Sequence, residues 1–181
     1  MLDFSKNYFE LFGLPVEYVV DAEQLAAHYR ELQKSVHPDR FANATEQERR
    51  LSMQGAVRIN EAHETLKDPI LRARYLLELN GIEIDNQIET THDAVFLMEQ
   101  LELREALEAS RQQPDPYAVI ADFLLEVNRR INALIGQMAL QFESATPEQL
   151  AAARENLLKM QFLKKLRYDA ESLEAELDDA L

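Results

Sequence analysis

Residues 32–41 of the chain, LQKSVHPDRF, decide how its first half folds. Asp21 is a good N-cap, and apolar residues then recur at helical spacing as far as this stretch. Pro38 lacks a backbone donor and biases the preceding residue away from helical angles, so the helix must end near His37. The sequence therefore predicts a helix of about four turns, followed by an exposed polar turn that contains Asp39.

A second helix is predicted on the far side of this turn. Thr45 and Glu48 form a capping box at its start, and the Asp-Pro pair at 68–69 ends it. Its core-facing stripe is expected to comprise Met53, Ala56, Val57, Ile59, Asn60, His63 and Leu66. The two helices are thus predicted to form an antiparallel pair, followed by a short apolar helix over 70–79 that stops at Asn-Gly 80–81.

The second half of the chain is predicted to be a helical bundle. Its three helices are expected at roughly 92–111, 116–143 and 147–178. Pro114 and Pro116 separate the first two, and Thr146 followed by Pro147 is a strong start for the third. The segment 80–92 before the bundle is polar and has no sustained period, so it is expected to be a boundary or elbow.

Composition excludes several classes of protein. The 181 residues include no cysteine, so the chain can hold no disulfide, thiolate zinc site, cysteine-ligated cluster or catalytic thiol. No apolar run exceeds five residues and the first residues lack the features of a signal peptide, so we expect a cytoplasmic protein with no membrane partner. A net charge of −14 argues against nucleic acid as a partner. Residues 1–75 carry −2 and residues 76–181 carry −12, which favours different partners for the two halves.

The predicted turn is the sharpest chemical feature of the sequence. It holds the imidazole of His37 and the carboxylate of Asp39 outward, where a partner can meet them, and an arginine can bind a carboxylate through two parallel hydrogen bonds. Arg30 and Lys34 are four residues apart and form a thin basic stripe that leads into the turn. The stripe favours an acidic partner.

The whole first half resembles the J-domain of co-chaperones that act on seventy-kilodalton heat-shock chaperones. The matching residues are YFELFGL at 8–14, Leu25, Tyr29, Leu32, HPDRF at 37–41, INEA at 59–62 and LKDP at 66–69. The run RARYLL at 72–77 and the acidic helical tail, with FLMEQLELRE at 96–105, are similar to the HscB family of iron-sulfur cluster assembly co-chaperones. That similarity spans nearly the whole chain.

The resemblance implies an all-α, L-shaped, non-enzymatic protein. It implies a J-domain at 1–76, an elbow or linker at 77–87 and a scaffold-binding three-helix bundle at 88–181. The expected partners are an HscA-like chaperone, whose ATPase the protein would stimulate, and an IscU-like iron-sulfur scaffold protein; no cofactor is expected. The residues expected to dock the chaperone are His37, Pro38, Asp39, Arg40, Arg30 and Lys34. The chain departs from some relatives in lacking a cysteine-rich module and in carrying His28 and Glu31 where basic residues are common.

The angular positions of residues 94–108 around a helix support a surface for binding a partner protein in the second half. It places Phe96, Leu103, Ala106 and Leu107 on one face, and Ala94, Leu97, Met98 and Leu101 on nearly the opposite face. A bundle helix needs one apolar face, so the second stripe, flanked by glutamates, is expected to be an interaction site. With the residues that the resemblance adds, the expected scaffold-binding set is Leu97, Met98, Leu101, Glu102, Arg104, Glu105 and Phe162. The alternative is that both stripes are buried between helices.

Two other functional classes stay open at this point. An enzyme would use His37 and Asp39 as an acid–base pair, but the sequence offers no phosphate loop, no nucleophile elbow and no metal-binding histidine spacing. His63 is expected to be a structural histidine and His92 a loop residue. A helical protein-interaction scaffold would explain the Leu97 stripe. A general J-protein unrelated to iron-sulfur clusters would explain the turn.

Overall fold

The computed structural model of the chain describes residues 3–41, 44–84 and 93–179. These residues form seven α-helices and one 3₁₀ turn, with no strand among them. The helices are α1 Tyr8–Phe12, α2 Ala22–Ser35, α3 Glu46–Lys67, α4 Pro69–Leu79, α5 Ala94–Ser110, α6 Pro116–Ser144 and α7 Pro147–Asp179, and the 3₁₀ turn is Pro38–Phe41. The predicted all-α fold is confirmed. His92 and residues 85–87 of the predicted elbow lie outside the described residues.

The chain divides into two compact units, residues 1–82 and 83–181. In the first unit, α1 starts with a reciprocal capping box between Asn7 and Glu10 and ends at Gly13, whose φ of 63° is the left-handed conformation that glycine adopts most easily. α1 then packs Phe9 and Phe12 into the core of this unit. The ring of Tyr8 stacks on Tyr75 of α4 with centroids 4.5 Å apart, so the two ends of the unit are joined.

The predicted helix boundaries of this unit are confirmed. The carboxylate of Asp21 accepts two backbone N–H groups at the start of α2, and Thr45 and Glu48 cap each other at the start of α3. Asp68 ends α3 and also caps α4, in which Pro69 occupies the first turn. Gly81, with φ 78°, follows α4 where the Asn-Gly stop was expected.

The predicted core stripe of α3 is wrong in its first half. Met53 and Val57 are 68% and 57% exposed, whereas Ser52 and Gly55 are buried. The Oγ atom of Ser52 donates a hydrogen bond to the Val36 carbonyl oxygen at 2.7 Å, and this buried contact places Ser52 against the end of α2. From Ile59 onward the prediction is correct for Ile59, Leu66 and the mostly buried His63. It is wrong for Asn60, which is exposed, and it omits Ala62, which is fully buried.

Truncating Ile59 to alanine should destabilise the first unit by about 2–5 kcal/mol, because the side chain is fully buried and a cavity would remain. Met53→Ala in the same helix is the matched control, and its effect should stay within about 0.5 kcal/mol because the side chain is exposed. Urea denaturation followed by far-ultraviolet circular dichroism measures both. Equal losses for the two variants would contradict the burial pattern.

The second unit is built on the long pair α6 and α7. Two residues, Ala145 and Thr146, connect these helices, so they run antiparallel. Ala145 has φ 47°, and the Thr146 hydroxyl accepts the Gln149 N–H at the start of α7, as the helix-start pattern predicted. Large buried side chains between the helices include Ile120, Val127, Met138, Leu157, Met160, Leu163 and Leu166. α5 packs on this pair through Phe96, Leu103 and Leu107.

Candidate functional site

The turn after α2 presents its carboxylate to solvent. The Asp39 side chain is 90% exposed, and its Oδ2 atom lies 3.5 Å from Nδ1 of His37. The same Nδ1 atom accepts the Asp39 backbone N–H at 3.3 Å, while the Arg40 N–H donates to the His37 carbonyl oxygen at 3.0 Å. These short-range bonds fold the turn on itself and leave the carboxylate available to a partner's cation.

The base of the turn is held by both flanking helices. Arg40 Nη1 lies 3.5 Å from the Lys34 carbonyl oxygen, where a cation is favourable at the C-terminal end of α2. On the other side, the Ser52 hydroxyl bonds to the Val36 carbonyl oxygen at the last turn of α2. The turn is therefore tied to the end of α2, and the end of α2 is tied to α3, although the tip of the turn is exposed.

The exposed face of α2 carries the predicted basic stripe. Arg30 and Lys34 are both exposed and lie one helical turn apart. His28 is half-buried on a different side of the helix, with Nδ1 2.6 Å from the Phe12 carbonyl oxygen. Glu31 is exposed next to the stripe. The outward positive charge of α2 thus comes from its C-terminal half, close to the turn.

The contacts between α2 and α3 set the direction of that face. Tyr29 donates its hydroxyl to Asn60 Oδ1 at 2.9 Å and stacks on His63 with ring centroids 4.1 Å apart. His63 is mostly buried and acts as a packing residue in this cluster, in line with its expected structural role. The aromatic and polar side of α2 therefore faces α3 and leaves Arg30 and Lys34 outside.

α5 has the two apolar faces that the sequence predicted. Phe96, Leu103 and Leu107 are buried, whereas Leu97, Met98 and Leu101 are 44%, 70% and 60% exposed. The expectation for Ala106 is wrong, since it is exposed rather than part of the buried face. Glu102 and Glu105 are exposed beside the second face. We call Leu97, Met98 and Leu101 the α5 patch.

Phe162 of α7 borders the α5 patch. Its half-buried ring meets Phe96 edge-on, with centroids 5.8 Å apart, and lies 5.2 Å below the guanidinium carbon of Arg104. At 100° per residue, Arg104 lies within roughly 20° of Leu97 around the α5 axis. The structure thus brings Arg104 and Phe162 together at the edge of the patch.

The N-terminus of α5 is tied to α7 by an ion pair. Asp93 caps α5 through Oδ1, which accepts the N–H groups of Val95 and Phe96, and its Oδ2 atom lies 2.5 Å from Lys159 Nζ. The hydrogen bond from Lys159, supported by the backbone N–H of Phe96, lowers the pKa of the Asp93 carboxyl below its ordinary value.

Sequence reasoning missed three contributors to these surfaces. Ser52 was missed because hydrophobic periodicity does not score a buried hydroxyl. Val95 is a further exposed apolar residue in the first turn of α5 and was assigned to neither stripe. Lys159 was missed because its partner Asp93 is 66 residues away and charge patterning detects local pairs.

Two further features bear on what these surfaces can do. Within residues 3–41, 44–84 and 93–179, no group of three or more His, Asp or Glu side chains is arranged to hold a metal ion. The described helices also include none that is long and apolar enough to cross a membrane.

Two family models match the chain. A model described as the DnaJ domain matches residues 7–75, and one described as the HSCB C-terminal oligomerisation domain matches residues 92–171. The co-chaperone protein HscB homolog of Vibrio cholerae is 44% identical over 171 residues, which cover 94% of this chain and 98% of that protein.

Solved structures of similar proteins share the fold. Chaperone HscB from Vibrio cholerae is 42% identical with a TM-score of 0.85, over 95% of this chain and 99% of the other. The human co-chaperone protein HscB is 27% identical with a TM-score of 0.85, over 95% and 84%. The Jac1 co-chaperone from Saccharomyces cerevisiae is 21% identical with a TM-score of 0.68, over 92% and 97%, and supports the fold alone.

Proposed function

The chain belongs to the HscB family of J-domain co-chaperones, and on that premise we propose that it carries an IscU-like iron-sulfur scaffold protein to an HscA-like chaperone and stimulates the chaperone's ATPase. The protein acts as an adaptor in the cytoplasm, performs no catalysis of its own and needs no cofactor. The observation that carries the proposal is the Asp39 carboxylate, which lies on the turn after α2 and is 90% exposed.

The first unit docks the chaperone through the turn and the adjoining end of α2. Asp39 is the anchor, because a carboxylate binds a guanidinium in two parallel hydrogen bonds and a neutral side chain does not. His37, Pro38 and Arg40 shape the turn around it. Arg30 and Lys34 attract an acidic surface of the chaperone and accelerate the encounter.

The second unit binds the scaffold protein through the α5 patch and its borders. Exposed apolar side chains with a charged rim have the composition of an interface core and its polar surround. Met98 adapts its shape to the partner, while Glu102 and Glu105 select a basic rim on it. Arg104 and Phe162 extend the surface onto α7.

Two binding surfaces in one chain explain how delivery is coupled to hydrolysis. A scaffold and a chaperone held by the same molecule meet at a raised effective concentration. The turn stimulates hydrolysis only insofar as it binds the hydrolysis-competent chaperone state better than the other states, because equal binding shifts no equilibrium. The adaptor therefore favours hydrolysis in the chaperone molecule that is receiving the scaffold.

The test is the single-turnover ATPase rate of the host's HscA-like chaperone with this protein, with the scaffold protein, and with both. The rate should rise with this protein alone and rise further when the scaffold is added. A general seventy-kilodalton chaperone of the same host is the matched control for specificity. An unchanged rate would refute the proposal, and stimulation that ignores the scaffold would favour a general J-protein instead.

A further inference from the structure

α5 needs more than apolar packing to hold its exposed patch in place. Its buried apolar side chains, Phe96, Leu103 and Leu107, pack against the other two helices. Ion pairs add to this packing along the helix. Glu99 meets Arg130 of α6 at 3.3 Å, Arg111 after the last turn meets Glu176 of α7 at 2.6 Å, and Asp93 before the first turn meets Lys159.

The Asp93–Lys159 pair is the most shielded of these three, although the Glu99–Arg130 pair, with side chains 44% and 33% exposed, is also partly buried. The Lys159 side chain is 19% exposed, and its ammonium also lies 5.3 Å from the centre of the Phe96 ring. By contrast, the Arg111 and Glu176 side chains are both more than half exposed. A shielded pair loses less of its attraction to water and salt, so it constrains geometry more strongly than the exposed one.

This pair acts directly on the first residue of the α5 patch. The backbone N–H of Leu97 donates to the Asp93 carbonyl oxygen at 3.0 Å, which is the first backbone hydrogen bond of the helix. The Asp93 carboxylate caps the same turn with one oxygen and contacts Lys159 with the other. Lys159 in turn lies three residues before Phe162 on α7. The ion pair therefore acts together with the Phe96–Phe162 ring contact in setting the position of Leu97 relative to Phe162.

We propose that Lys159 is a positioning residue for scaffold binding: by holding Asp93 on α7 it fixes the first turn of α5, so that Leu97 and Met98 are presented beside Phe162 in the geometry that the scaffold recognises. This inference rests on the proposed function of the α5 patch. A surface that is fixed before binding loses less conformational freedom on association, and its affinity is correspondingly higher.

The test measures the affinity of an IscU-like scaffold protein from the same host for full-length variants that are fully folded at the assay temperature. Lys159→Met keeps the apolar stem and removes the charge, and Asp93→Asn keeps a capping side chain and removes the ion pair. Each should weaken binding about tenfold. Lys159→Arg should retain most of the affinity. Arg111→Met, at the other end of α5, is the matched control, and its affinity for the scaffold protein should be unchanged.

The double variant separates positioning from direct contact. If Lys159 acts through Asp93, the two substitutions remove the same interaction, and Lys159→Met/Asp93→Asn should bind no more weakly than either single variant. Additive losses would overturn the proposal in favour of a Lys159 that touches the scaffold. Unchanged affinity of the single variants, while substitution of the α5 patch abolishes binding, would refute positioning and leave the proposed function intact. Failure of the unaltered protein to bind the scaffold would refute both.

Discussion

Asp39→Asn should abolish stimulation of the chaperone's ATPase and leave the fold unchanged. The substitution keeps the size of the side chain but replaces one acceptor oxygen with a donor, so the bidentate pairing with a guanidinium is lost. A charge pair closed at an interface contributes a few kcal/mol, so the stimulated rate should fall by about 100-fold or to the basal rate. Single-turnover ATP hydrolysis measures the effect.

The fold should tolerate this change because Asp39 contributes little to the unit. Its side chain is 90% exposed, and its hydrogen bond to His37 in the turn is made by the backbone N–H, which the variant keeps. Glu23→Gln, an exposed carboxylate in the first turn of the same helix pair, is the matched control and should stimulate normally. A variant at Asp39 that stimulates as well as the unaltered protein would exclude the turn as the chaperone contact.

The outlines of the fold were predictable because the helix ends are encoded locally. Asp21, Thr45 and Asp68 cap the helices that their positions predicted, and Pro38 ends α2 within two residues of the expected point. Side-chain capping and the missing proline donor act within one turn of the chain, so a local pattern detects them. The two faces of α5 were predictable for the same reason, since angular position follows from residue spacing.

The parts that sequence reasoning missed depend on contacts between distant residues. The rotation of α3 is set where Ser52 bonds to the end of α2, and no hydrophobic periodicity predicts a buried hydroxyl in place of Met53. The same limit applies to Lys159, which is useful only because α7 passes the N-terminus of α5. Phe162 was placed near the patch by resemblance alone, and its contacts with Phe96 and Arg104 required the structure.

Replacing the α5 patch by alanine should weaken scaffold binding by about 100-fold or more without lowering the thermal stability of the protein. Leu97, Met98 and Leu101 are 44–70% exposed, so their truncation removes little buried contact from the free protein. Alanine is also the best helix former, which offsets any small loss of packing. Isothermal titration with an IscU-like scaffold protein measures the affinity, and a thermal melt measures the stability.

The combination of the two readouts identifies the role of the patch. Leu125→Ala/Leu140→Ala removes two comparably exposed leucines from α6 of the same unit, and this control should change neither affinity nor melting temperature. A large fall in the melting temperature of the triple variant would mean that the patch is part of a core. Unchanged affinity in a stable triple variant would exclude α5 as the scaffold contact. Exposed apolar area lowers solubility, and it makes favourable contacts only when a partner covers it. Lost affinity at unchanged stability therefore identifies an interface rather than a packing defect.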